Sequence, residues 1–204
     1  MYIWLRKPRL SSEPVPAPPK LLPLAEAPRW VRDADLLLFR RSGLVARVGR
    51  GVHSHAAMAA WWDGQIFLLE VTPWFGGRAV TLESQVRRYP GQIDLFWSDP
   101  DGKFPHFDRA GAVRLMKQLA GTSYGYRLLW RLAVRRLPLL RFFLPPDTED
   151  NHPSHPPAIC SQAVAWATRV GGGVDPVYLL ADHLTEPADL ARSIFYRYVG
   201  TFVP

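Results

Sequence analysis

Apolar residues cluster along this chain in short runs, and the spacing inside each run predicts sheet first and helices later. Asp35 to Phe39 (DLLLF) reads as a buried strand. His53 to Ala60 and Gln65 to Val71 read as two strands turned at Asp63-Gly64, and Ile93 to Trp97 as a further short strand. From Asp108 to Leu119 the apolar positions Ala112, Leu115, Met116 and Leu119 have helical spacing. Ala163, Val164, Ala167 and Val170 repeat that spacing between Cys160 and Val170, where Gly171-Gly172-Gly173 supplies a stop and Pro156-Pro157 places the start near Cys160. A short helix around Pro187 to Ser193 and a last strand from about Ile194 to Val203 complete the pattern, which is that of an α+β fold.

Two stretches depart from it. Residues 1–30 carry seven prolines, Pro8, Pro14, Pro16, Pro18, Pro19, Pro23 and Pro28, and read as an N-terminal arm ahead of a domain over residues 31–204. Tyr124 to Arg136 sets Arg127, Arg131 and Arg135 four apart on one face of a basic amphipathic helix, followed by Leu139, Leu140, Phe142 and Phe143. Such a helix either covers a sheet or meets a membrane surface.

Composition narrows the chemistry. The chain has 204 residues, enough for one sizeable core, and a single cysteine, so neither an intrachain disulfide nor a cluster of cysteine ligands can form. The net charge of +7 favours anionic partners, among them an anionic membrane surface. The arginines are dispersed and no nucleic-acid-binding motif focuses them, so no nucleic acid is expected as partner. No apolar run approaches the roughly 18 residues of a membrane span, and Met1 to Leu5 is too short for a signal peptide's apolar region. The expected location is cytoplasmic, with a membrane-peripheral place as the alternative.

Cys160 is either an inert buried thiol or a reactive one; at the first turn of a helix it would meet unpaired backbone donors that favour a thiolate. A thiolate nucleophile needs a histidine base, itself oriented by a third polar group. His53 and His55 lie two apart in an expected strand, whereas His106, His152, His155 and His183 sit among turn residues. Glu70 interrupts the apolar run Ile66 to Leu69 on the strand expected to pair with that of His55, and a carboxylate buried there wants an imidazole partner.

Taken together, Asp35 to Phe39, His53-Ser54-His55-Ala56-Ala57-Met58, Phe67 to Glu70 and Ile159-Cys160-Ser161-Gln162-Ala163-Val164 resemble the permuted NlpC-like branch of papain-fold cysteine hydrolases, related to the lecithin-retinol acyltransferase branch. In that branch the histidine strand precedes the nucleophile helix. The resemblance spans about residues 33–200; Ile159 and Ala56-Ala57 depart from the usual pattern, which bears on substrate preference. It implies a permuted papain-like fold, an antiparallel sheet or small barrel packed on helices with the nucleophile at a helix N-terminus. It further implies Cys160, His55 and Glu70 as catalytic residues and His53, Ser54, Ser161 and Tyr124 as substrate contacts. No metal or cofactor is expected. The implied activity is cleavage of a peptide-like or N-acyl amide through a thioester, with a lipid-associated thiol acyltransferase or a non-enzymatic membrane-surface module as alternatives. A zinc site of His53, His55, Glu70 and Cys160 is a further rival, and separate alanine substitutions of the two histidines distinguish it.

Overall fold

A computed structural model describes residues 15–40, 51–73, 75–121, 159–178 and 180–204. In chain order its elements are β1 (Leu21–Pro23), a 3₁₀ turn (Leu24–Glu26), α1 (Ala27–Trp30), β2 (Leu36–Phe39), β3 (His55–Trp62), β4 (Gln65–Thr72) and β5 (Gly76–Thr81). There follow α2 (Leu82–Arg88), β6 (Ile93–Ser98), α3 (Arg109–Lys117), α4 (Cys160–Trp166), a π-helical turn (Ala167–Gly171), a 3₁₀ turn (Asp182–Leu184), α5 (Pro187–Ala191) and β7 (Tyr196–Val203).

The seven strands form one open sheet in the order β1-β7-β6-β2-β3-β4-β5. It is mixed: β1 runs parallel to β7, and every other neighbouring pair is antiparallel. The fold is therefore α+β, but the sheet is neither wholly antiparallel nor closed into a barrel. The parallel pair arises because Leu21–Pro23 returns to the sheet edge, so the boundary expected at residue 30 falls inside the folded unit. Leu22 is 2% exposed there, and α1 behind it buries Ala27. Proline suits this edge, where a missing N–H breaks no inner ladder.

β2 reads as an unbroken apolar run because both its faces are covered. Leu36 and Leu38 join Ala56, Met58, Ala60, Leu69, Val71 and Phe96 beneath Ala112, Val113 and Met116 of α3, Ala163 and Val164 of α4, and Leu190 of α5. Leu37 and Phe39 face the other way with Ala57, Ala59, Leu68, Ile93, Leu95 and Phe202, under Val31 and under Leu82 and Val86 of α2. Alanines dominate β3, and their small side chains leave room for α4 to lie against the strand. One close approach depends on glycine: a Cβ on Gly111 in α3 would lie 2.2 Å from the Gly171 carbonyl oxygen, so backbone meets backbone where α3 crosses the end of the α4 segment. At the β3–β4 hairpin Asp63 and Gly64 both have positive φ, 50° and 72°, the geometry of the tight turn expected for that dipeptide.

Asp35 ties the layers together. Its carboxylate accepts from the backbone N–H groups of Arg32 (2.9 Å) and Ser98 (3.0 Å) and from Arg109 of α3 (3.1 Å). Burial dominates its titration and raises its pKa above the usual carboxylate value.

The sequence pattern missed β1, α1, β5 and α2. β5 begins Gly-Gly-Arg and has no apolar alternation, and α2 is capped by the Thr81 side chain accepting from Ser84 N–H rather than marked by a long apolar stripe. The basic segment from Tyr124 to Phe143 lies outside the described residues.

Candidate active site

The candidate residues meet where the start of β3, the end of β4 and the start of α4 come together. His55 is the first residue of β3, its ring edge-on to Phe39 with centroids 5.1 Å apart. Glu70 stands near the end of β4, and its Oε2 lies 2.6 Å from His55 Nε2. The Cys160 thiol lies close enough to the His55 side chain for each to shift the other's titration. His55, Glu70 and Cys160 are 7%, 3% and 4% exposed, so little bulk water screens their charges.

Burial alone would push the His55 pKa down. The negative sulfur of Cys160 and the Glu70 carboxylate outweigh it and bring the imidazole up from 6.5 to about 10. Burial likewise pushes the Cys160 thiol up, but the His55 charge and hydrogen bond, with the backbone N–H groups of Ala56 and Ser161 facing the sulfur, bring it below its ordinary 9.0. Both directions describe one coupled pair, in which the charge on either group favours the opposite charge on the other. Burial raises the Glu70 pKa too, against which His55 and then Arg78 lower it below 4.5.

Arg78, opposite Glu70 in the β4–β5 ladder, holds the second carboxylate oxygen: its Nε donates to Oε1 at 2.8 Å and its Nη2 lies at 2.7 Å. The sequence pattern passed over Arg78, because a single cation on a short glycine-led edge strand carries no periodic signal.

α4 begins without a side-chain cap, and its first helical bond runs from Ala163 N–H to the Ile159 carbonyl (2.9 Å). The N–H groups of Cys160, Ser161 and Gln162 precede that bond. The helix is anchored by side chains: Ser161 Oγ donates to the Thr185 carbonyl (2.7 Å), Gln162 Nε2 to the His183 carbonyl (2.5 Å), and Arg169 pairs with Asp182 at 2.6 Å.

The remaining candidates lie elsewhere or are already engaged. His53 precedes β3 rather than lying within it, so the period-two argument that put it beside His55 does not apply. Its Nε2 is 2.8 Å from Asp94 Oδ2, and its ring stands edge-on to Phe96. Asp94 also takes both Nε and Nη2 of Arg40 (2.6 and 2.5 Å) and the Thr201 hydroxyl (2.6 Å), so His53 belongs to a buried network centred on β6. Ser54 Oγ turns to the Phe39 carbonyl (3.4 Å), and Ser161 is spent on Thr185. Tyr124 lies outside the described residues. With His53 committed to Asp94, the four-ligand zinc arrangement is not assembled, and among the described residues no three His, Cys, Asp or Glu side chains are grouped to hold a metal. Two buried polar atoms have no hydrogen-bond partner among the described residues: Thr72 Oγ1, two positions beyond Glu70, and Gln162 Oε1.

By sequence, no protein-family model and no curated protein matches the chain. By structure, it is similar to the metalloprotein yiiX from Escherichia coli O157:H7, a DUF1105 protein, at a TM-score of 0.57 and 9% identity over 85% of this chain and 98% of that one. At that identity the likeness is one of fold. Among the described residues no helix is long and apolar enough to cross a membrane.

Proposed function

We infer that this chain is a cysteine hydrolase of the permuted papain-like type, which cleaves a peptide-like or N-acyl amide through a thioester on Cys160. The observation that carries the reading is a single imidazole, His55, engaged on one nitrogen by Glu70 at 2.6 Å and electrostatically coupled to the neighbouring thiol of Cys160. A structural cysteine needs no charged partner; one held as a thiolate beside an imidazolium is prepared for attack. The order along the chain, histidine strand before nucleophile helix, agrees with the resemblance seen in the sequence.

In this reading Cys160 Sγ attacks the amide carbonyl carbon, and the electron pair of the C=O bond moves to oxygen. The Cys160 backbone N–H, which precedes the first helical bond, is placed to donate to that oxyanion. The proton already on His55 passes to the leaving nitrogen as the C–N bond breaks, leaving a thioester and a free amine. Water then gives a proton to the neutral His55 and attacks the thioester, releasing the acid and restoring thiolate and imidazolium. Glu70, kept ionised by Arg78, holds the ring in place and stabilises its charge in both halves. An acceptor other than water would make the same intermediate an acyltransferase.

An aryl-ester burst tests this reading. The wild-type chain mixed with p-nitrophenyl acetate should release one equivalent of nitrophenol rapidly, with acetyl mapped to Cys160, and Cys160→Ala should release none. A burst that survives in Cys160→Ala, or acetyl found only on lysines, would overturn it.

A further inference from the structure

A cleft of about 140 Å³ opens beside the Glu70–Arg78 pair, between the edge strand β5 and the end of α3. Leu69, Ala79, Met116 and Ala120 give it an apolar floor, and Trp62, Lys117 and Arg78 complete its lining. Each cation is stacked on an aromatic ring at the protein surface. Lys117 Nζ lies 5.1 Å from the centre of the Trp62 ring, and the Arg78 guanidinium 4.8 Å from that of Phe75. Trp62 and Phe75 are 55% and 68% exposed, an unusual placing for large aromatic side chains of a folded chain. Among the described residues Lys117 forms no ion pair with an acid, and both bonds of Arg78 go to one oxygen of Glu70.

The geometry points to this cleft as a binding site for an amphiphilic anion, a compact apolar group carrying a carboxylate or phosphate. The floor offers no polar side chain, so the body of the ligand is hydrocarbon; Lys117, with no acid beside it among the described residues, asks for negative charge at the wall, where Arg78 already shares its charge with Glu70. The aromatic rims suit a molecule that is apolar on one side and wet on the other. Arg78 joins the cleft to the site, because the guanidinium that lines the cleft also neutralises Glu70. Assigning the ligand as the non-reacting end of the substrate rests on the Cys160 reading; the binding itself does not.

Calorimetric titration of the intact chain tests this, with hexanoate, the neutral 1-hexanol and acetate as probes, and vesicles of phosphatidylglycerol or phosphatidylcholine as a separate arm. Hexanoate should bind at one site at least tenfold more tightly than hexanol or acetate. Lys117→Met should lose that preference and Lys117→Arg keep it, with unchanged thermal unfolding showing that both are folded. Selective binding to phosphatidylglycerol vesicles that depends on Lys117 would identify a lipid headgroup as the source of the same chemistry. Equal affinity for hexanoate and hexanol without Lys117-dependent vesicle binding, or a Lys117→Met variant that binds like wild type, would overturn the inference. Repeating the titration with Cys160→Ala separates the two ideas: binding that persists there while the aryl-ester burst fails in wild type contradicts the hydrolase reading alone, and a normal burst without hexanoate or vesicle selectivity contradicts the cleft alone.

Discussion

Replacing Glu70 by Gln removes one charge and almost no volume, so its effect on Cys160 can be worked from the structure. The carboxylate bonds the His55 ring at 2.6 Å with both side chains nearly excluded from water, and a charge-assisted bond of that kind contributes about 1.5–3 kcal/mol. An amide keeps part of the hydrogen bonding but none of the attraction for imidazolium, and its NH₂ group opposes the ring N–H if it turns the wrong way. The thiolate–imidazolium form should lose about 1.5–3 kcal/mol relative to the neutral pair, a roughly 10- to 150-fold fall in the acylation rate near neutral pH. Arg78 would keep a partner in the amide oxygen, and its 29% side-chain exposure limits the cost of the lost charge. Rapid-quench measurement of the burst with p-nitrophenyl acetate, at pH values from 5 to about 10, reads the effect; circular dichroism checks the fold. An acylation rate within twofold of wild type across that range would refute the argument that Glu70 supports the pair through His55.

Asp94→Asn should cost about 2–4 kcal/mol in thermal unfolding, because it strips the charge from the network that holds Arg40, His53 and Thr201, while leaving the Cys160 titration in place, since His53 serves Asp94 and not the thiol. Thr72→Val should leave stability unchanged or raise it by about 1 kcal/mol in denaturant melts, because the hydroxyl it removes is buried without a partner among the described residues. Gly111→Ala should destabilise by more than about 2 kcal/mol, since its Cβ would fall 2.2 Å from the Gly171 carbonyl oxygen and push α3 off the segment that follows α4. Acid should destabilise the fold through Glu70 and Asp94. Both pKa values are lowered by folding, from 4.5 and 3.8, so their contribution is present above those values and is lost as pH falls through the folded ones. Asp35, raised above 3.8, acts in the opposite sense, and the melting temperature of Asp94→Asn should fall less between pH 5 and pH 3 than that of wild type.

The parts of the fold legible in the sequence are those where one physical cause dominates. β2, β3 and β4 follow from apolar runs and an Asp-Gly turn; α3 and α4 follow from helical spacing, with Pro156-Pro157 and Gly171 to Gly173 marking the limits of the second. β1 was hidden because its prolines signal an arm, and only the long-range pairing of Leu21 to Pro23 with β7 makes it a strand. In the site, Glu70 stood out as a charge in an apolar run and His55 as its cross-strand partner. Arg78 and Asp94 gave no such signal, since each draws its meaning from a residue on another strand. His53 was misplaced for a local reason: β3 starts at His55, so the chain before it turns towards β6 instead of alternating.

The pH dependence of Cys160 alkylation tests the central claim most directly, because it reads the thiolate without requiring a known substrate. Iodoacetamide labelling of the intact chain, followed at the Cys160 peptide by mass spectrometry, should rise with a midpoint below the ordinary thiol value of 9.0, because His55 and the N–H groups of Ala56 and Ser161 lower this thiol against the effect of burial. In His55→Ala the midpoint should rise, since burial is then opposed only by the N–H groups of Ala56 and Ser161. A wild-type midpoint at or above 9.0, or one that His55→Ala does not move, would contradict the account.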